Sequence, residues 1–116
     1  MKWSKPQLRK EGGVTRFSLE NNRRLTKRLG RPVRVECHYD PNGADWYRVR
    51  AFYDSGDVHE FTGFSWGYNG EGPRGLLEFC QYNDIPLTAE EVLQLDNNTK
   101  CLAWVWPTPM LAERVG

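Results

Sequence analysis

The sequence predicts a small α+β domain: an N-terminal basic helix, a three-stranded antiparallel meander, a glycine-loop helix, a short helix and a C-terminal fourth strand. Three observations carry that prediction. Residues 19–29 run without Gly or Pro and stop at Gly30, with Leu19, Asn22, Leu25 and Leu29 along one narrow stripe. From Val33 to Phe61 the hydrophobic period is two, interrupted by turn-forming clusters at 41–44 and 54–57. Residues 67–75 then hold four glycines, Gly67, Gly70, Gly72 and Gly75, and lead directly into a helical pattern.

A chain of 116 residues fits one domain, large enough for a single core without disulfides and too small for two. Five Trp, five Tyr and five Phe predict an aromatic core. The expected organisation is a partly ordered basic arm over 1–16, one α+β domain over 17–109 and a tail over 110–116. Cys37, Cys80 and Cys101 are odd in number and lack Cys-x-x-Cys spacing, which argues against a disulfide framework and a zinc site. The apolar runs are short and the first residues lack the apolar stretch of a signal peptide, so the expected setting is cytoplasmic, with no membrane partner.

The net charge of +1 conceals a strong asymmetry. Residues 1–34 carry eleven of the sixteen basic side chains against two acids, Glu11 and Glu20, a balance of +9; the rest carry five against thirteen, a balance of −8. One part of the molecule is thereby suited to attract anions while the other repels them.

Taken in order, Ser18 has the chemistry of an N-cap for a helix over 19–29, with Gly30 as its stop before Pro32. Arg23, Arg24, Lys27 and Arg28 cover the faces away from the leucine stripe. Val33, Val35, Cys37 and Tyr39 alternate with polar residues, as do Tyr47, Val49, Ala51 and Tyr53. The register that keeps both apolar sets on one face pairs Tyr39 with Tyr47 and Val35 with Ala51, because a one-residue slip would reverse every side chain. Gly56 suits the left-handed position of the second turn, which pairs Val49 with Phe61 and Arg50 with Glu60. Glu36, Arg50 and Glu60 then align across the outer face, and His59 turns inward near Ala51.

After the glycine loop, Pro73 fits a first helical position, Leu76, Leu77, Phe79 and Cys80 form an apolar face, and Asn83 ends the helix. Thr88 and Glu91 form a capping box for a short helix through Leu95. Residues 100–106 have the length and pattern of a fourth strand, closed by Pro107 and Pro109.

Gly70, Gly72 and Gly75 satisfy Gly-x-Gly-x-x-Gly with Asp96 about twenty residues on, yet antiparallel hairpins precede them rather than the first strand of a βαβ unit. No Gly-Lys-Ser/Thr follows, so the loop is no Walker A motif. Two readings of the loop remain: a tight crossing that only glycine permits, or a helix N-terminus that meets an anion beside Arg74. His38 and His59 fall on opposite faces without a second ligand at helical spacing, and Glu71, near Arg74 and His59, defines no mechanism alone.

These features together predict a small non-enzymatic binding module for an anionic partner: nucleic acid, a phosphate-bearing ligand or an acidic protein surface. Its candidate ligand-binding residues are Gly70, Gly72, Arg74 and Gly75, and its candidate partner-binding residues are Arg23, Arg24, Lys27, Arg28 and Arg31. No catalytic residue, metal ligand or cofactor is assigned. An alternative is a protein-interaction or inhibitor module, of the kind small mobile-element genes encode, docking through Trp46, Phe52 and Trp106. A second alternative is a small nucleotide-acting enzyme, for which no base or nucleophile has a partner visible in the sequence.

Overall fold

Glycines 12 and 13, at φ +55° and +77°, turn the chain so that Val14 N–H donates to the Glu11 carbonyl and helix α1, Thr15–Leu29, begins at once. The computed structural model describes residues 8–39 and 46–94 with their side chains, and the backbone alone at 2–3, 101–105 and 111–115. Val14, not Ser18, is the N-cap: its carbonyl accepts from Phe17 and Ser18 N–H, and no side chain caps the helix. Ser18 is fully buried one turn inside, where its hydroxyl serves a tertiary contact. The α1 terminus follows expectation, with Gly30 at φ +84° donating to the Thr26 carbonyl.

The meander consists of β1 (Arg34–Tyr39), β2 (Tyr47–Phe52) and β3 (Asp57–Phe61), each antiparallel to the next. Tyr39 lies opposite Tyr47, Val35 opposite Ala51, Val49 opposite Phe61 and Arg50 opposite Glu60, the register that the period-two pattern dictates. Gly56, at φ +91°, makes the second turn. On the outer face Arg50 donates twice to Glu60 Oε2, at 3.1 and 2.8 Å. Glu36 lies in the same row and is held by its own strand, with Arg34 Nε at 2.8 Å and His38 Nε2 at 2.9 Å. Such half-exposed pairs contribute about 0.2–1 kcal/mol each, enough to favour the register but not to create the fold.

The inner face carries the core. Val35, Cys37, Val49, Ala51, Tyr53 and Phe61 are buried there in one cluster with Leu25 of α1 and Leu76, Phe79 and Cys80 of the second helix. Three phenyl rings, Phe61, Phe64 and Phe79, meet at centroid distances of 5.1–5.5 Å. Burial among these apolar groups pushes the Cys80 thiol far above its usual range, so it is inert.

Helix α2, Glu71–Tyr82, starts from Gly70, two residues before the expected start at Pro73. Pro73 occupies the third helical position, still within the first turn, where its missing N–H breaks no helical bond. Asn83 ends α2 as expected. The capping box of α3, Ala89–Gln94, is reciprocal: Glu91 Oε1 accepts from Thr88 N–H at 3.0 Å and Thr88 Oγ1 from Glu91 N–H at 3.2 Å. The domain is thus a mixed one, with helices on one face of a three-stranded antiparallel sheet. The turn over 41–44, Leu95 and Asp96 lie outside the described residues, as do Lys100 and Trp106 of the expected C-terminal strand.

Candidate anion-binding groove between two helices

Two buried polar clusters fix α1 relative to the rest of the domain and so shape its exposed side. At its first turn, Glu11, 5% exposed, accepts from Thr62 N–H at 2.8 Å and from the Ser18 hydroxyl through Oε1. Its Oε2 lies 2.9 Å from Asn21 Nδ2 and 2.6 Å from His59 Nε2. Burial alone would raise this carboxyl; the bonds from His59, Asn21 and Ser18, together with the charge of His59, outweigh it and hold Glu11 below the usual carboxylate range. Gly63 N–H donates to Ser18 Oγ at 2.9 Å, and Thr15 Oγ1 donates to the Gly63 carbonyl at 2.6 Å. The acid at His59 is therefore Glu11 from the basic N-terminal stretch and not Glu71, which is exposed on α2.

A serine, a glutamate and a histidine in contact invite comparison with a hydrolytic triad, but the connectivity is wrong. Ser18 binds the carboxylate rather than the imidazole, and it has no exposed surface for a substrate to reach. Its function is to anchor the helix. At the middle of α1, Asn83 Nδ2 donates to Asn22 Oδ1 at 3.0 Å and to the Phe79 carbonyl at 3.1 Å, while Arg31, just beyond the helix, pairs with Asp84 at 2.5 Å.

Beside these anchors α1 and α2 enclose an open groove of about 340 Å³. Thr15, Arg16, Leu19 and Arg23 line it from α1; Glu71, Arg74, Gly75 and Glu78 line it from α2. The close approach of the helices depends on Gly75, where a Cβ would lie 2.2 Å from Thr15 Cγ2 and 3.2 Å from the Phe64 ring. Arg16, Arg23 and Arg74 are exposed, and none makes an ion pair within 4.0 Å among the described residues. Arg16 instead lies with its guanidinium 5.3 Å from the Phe17 ring centroid. By helical spacing Lys27 extends the face of Arg16 and Arg23 by one turn.

The residues singled out from the sequence therefore divide. Arg23, Arg74 and Gly75 come together, joined by Arg16, which a reading that assigns it to the arm overlooks. Arg24 turns aside to Glu20 at 3.0 Å, and Arg31 to Asp84. Lys27 and Arg28 are exposed near the end of α1. Gly72 faces away from the groove: a Cβ there would lie 2.0 Å from Ser65 Oγ. Gly70 sits against the Tyr68 ring, 2.9 Å from where its Cβ would be. Of the aromatic docking candidates, Trp46 is 54% exposed, Phe52 is half-buried and Trp106 lies outside the described residues.

Among the described residues no group of three His, Cys, Asp or Glu side chains stands together to hold a metal ion, and no helix is long and apolar enough to cross a membrane. The glycine motif follows an antiparallel meander, so it lacks the βαβ setting that dinucleotide binding requires. Compared with protein-family models, curated proteins and solved structures, the chain matches none.

Proposed function

We propose that this chain is a small non-enzymatic binding module for an anionic partner, nucleic acid or another phosphate-bearing ligand, which docks in the groove between α1 and α2. The observation that supports this reading is the convergence of Arg16, Arg23 and Arg74 on one groove without ion-pair partners among the described residues. A guanidinium offers five N–H donors in a planar fork that fits phosphate oxygens in pairs, and three of them, from two helices, line this one groove. Glu71 and Glu78 on the same wall limit how far an anion can spread along α2, so the ligand lies toward α1 and Lys27. The glycines act by packing: Gly72 and Gly75 let α2 seat close enough to present Arg74.

The proposal extends to the fold and setting. The backbone of Cys101–Val105 runs antiparallel to β1, with Trp104 opposite Val35 and Leu102 opposite Cys37, and we assign it as the fourth strand that closes this sheet edge. We place the protein in the cytoplasm. A protein-docking reading has one observation in its favour, a narrow apolar furrow where Leu77 of α2 meets Val92 and the 45%-exposed Leu93 of α3.

Thermal melting across a panel of inorganic phosphate, nucleotides and oligonucleotides tests the proposal. Binding to the native state raises Tm by an amount that grows with the logarithm of free ligand concentration above Kd. Oligonucleotide should stabilise the parent, and Arg74→Ala should keep the free protein's Tm while losing that increment. An equal shift in both proteins, or no shift with any anion, would remove the groove as the binding site.

A further inference from the structure

A second groove, of about 290 Å³, opens on the other side of the first turn of α2. Thr15 lines both grooves; Gly72 faces this one, while Glu71, Arg74 and Gly75 face the first. Its walls include Trp46, Tyr47 and Tyr68, with Thr62 and Ser65 supplying hydroxyls. Phe61, Phe64, Phe79 and Trp66 are at most 1% exposed, whereas Trp46 and Tyr68 leave 54% and 48% of their surface open.

These two open rings are held in place. The Tyr68 hydroxyl lies 2.8 Å from Ser65 Oγ, Ser65 itself being 6% exposed, and the Tyr68 ring stands 6.4 Å from that of Tyr47. Tyr47 is fixed edge-on against buried Trp66 at 4.8 Å and meets Tyr39 at 5.1 Å. Tyr39 in turn meets Trp46 edge-on at 6.4 Å. A Cβ at Gly70 would lie 2.9 Å from the edge of the Tyr68 ring, so glycine leaves that ring its position. A ring already ordered before binding loses little entropy when a flat ligand stacks on it.

We propose that this groove, polar within and rimmed by the exposed rings of Trp46 and Tyr68, takes an unstacked nucleobase stacked on that rim, so that the nucleic acid held by the module is single-stranded. The inference rests on the phosphate-binding reading of the adjacent arginine groove. Bases inside a duplex are stacked on both faces and cannot enter a side cleft, whereas a single strand offers its π-faces freely. The Thr62 hydroxyl, which accepts from Gly13 N–H at 3.0 Å, keeps its own proton to offer the polar edge of the base. Thr15, buried between the two grooves, sets them side by side, so a strand reaches from the arginines to the exposed rings over the first turn of α2.

The test compares a short single-stranded oligonucleotide with a duplex of equal length and salt, using fluorescence anisotropy. The parent should prefer the single strand. Trp46→Ala and Tyr68→Ala should each weaken single-strand binding about tenfold, the stacking contribution of one base, while leaving duplex binding unchanged. Tyr68→Phe, which keeps the ring, should retain most of the affinity. If Tyr68→Ala melts early, Trp46→Ala, at an exposed position, decides alone. Equal binding of both forms, with the aromatic variants silent and Arg16→Gln or Arg23→Gln weakened, overturns the base groove and leaves the arginine groove standing. No binding of either oligonucleotide overturns both.

Discussion

Glu11 Oε2 and His59 Nε2 meet at 2.6 Å across 48 residues of sequence, and that contact fastens the start of α1 to the last strand of the meander. The carboxylate also takes donors from Ser18, Asn21 and Thr62 N–H, so it satisfies groups on two separate segments. Removing it strands several of them. Glu11→Ala should therefore destabilise the domain by about 3–5 kcal/mol, and Glu11→Gln, which keeps the shape, by about 1–3 kcal/mol. Denaturant melts of both variants check the order; equal costs for the two would mean that the charge, lost in both, carries the whole contribution and the retained shape none.

The same carboxylate sets an acid limit. Its folded pKa is depressed below the unfolded value of about 4.5, so its contribution is complete above that value and is lost as pH falls through the lower folded value. Parent stability should drop in this acid window, and Glu11→Gln should show a shallower dependence there. Parallel acid titrations of the two proteins would contradict this origin.

Gly72 and Gly75 sit where a Cβ would lie 2.0 Å from Ser65 Oγ and 2.2 Å from Thr15 Cγ2. Each Ala variant should cost about 1–3 kcal/mol, since a side chain must displace packed neighbours. Gly70→Ala meets only the edge of the Tyr68 ring, at 2.9 Å, and should cost less. Calorimetric melting of the three variants measures the series, and a Gly70 cost as large as the other two would contradict the packing account.

Asn83 and Asn22 are almost wholly buried and join the end of α2 to α1. Asn83→Ala removes two buried hydrogen bonds, while the Phe79 carbonyl keeps the N–H of residue 83 and Asn22 Oδ1 keeps the Thr26 hydroxyl, and should destabilise by about 1–3 kcal/mol. Hydrogen exchange should then speed up in the last turn of α2 before it does in the sheet.

The sheet was legible because its signals are local and redundant. A period of two fixes the face, Gly56 fixes the turn, and together they place Arg50 opposite Glu60 with no freedom left. The Thr88–Glu91 box is likewise a contact across three residues. The Glu11–His59 bond has no such signature: the pattern turns His59 inward, but nothing in it says which acid arrives from the other side. The one signal available was an acid isolated in a basic stretch next to Gly12 and Gly13. Ser18 misleads for a related reason, because the Gly-Gly turn starts α1 early and leaves a cap-forming side chain inside it. The arginine groove is tertiary, since Arg16 and Arg74 are 58 positions apart in sequence and meet only because Gly75 lets the helices close.

The arginine groove as a phosphate site is tested most directly by the salt dependence of oligonucleotide binding. Each phosphate that a variant no longer neutralises should flatten the slope of log K against log salt by ~0.7 to 0.9. Arg16→Gln, Arg23→Gln and Arg74→Gln combined should flatten it by roughly 2 to 3 with the fold intact, while the pair Arg24→Gln and Arg31→Gln, whose guanidiniums engage Glu20 and Asp84, should change it little. An unchanged slope in the triple variant, or an equal flattening in the control pair, would contradict the assignment.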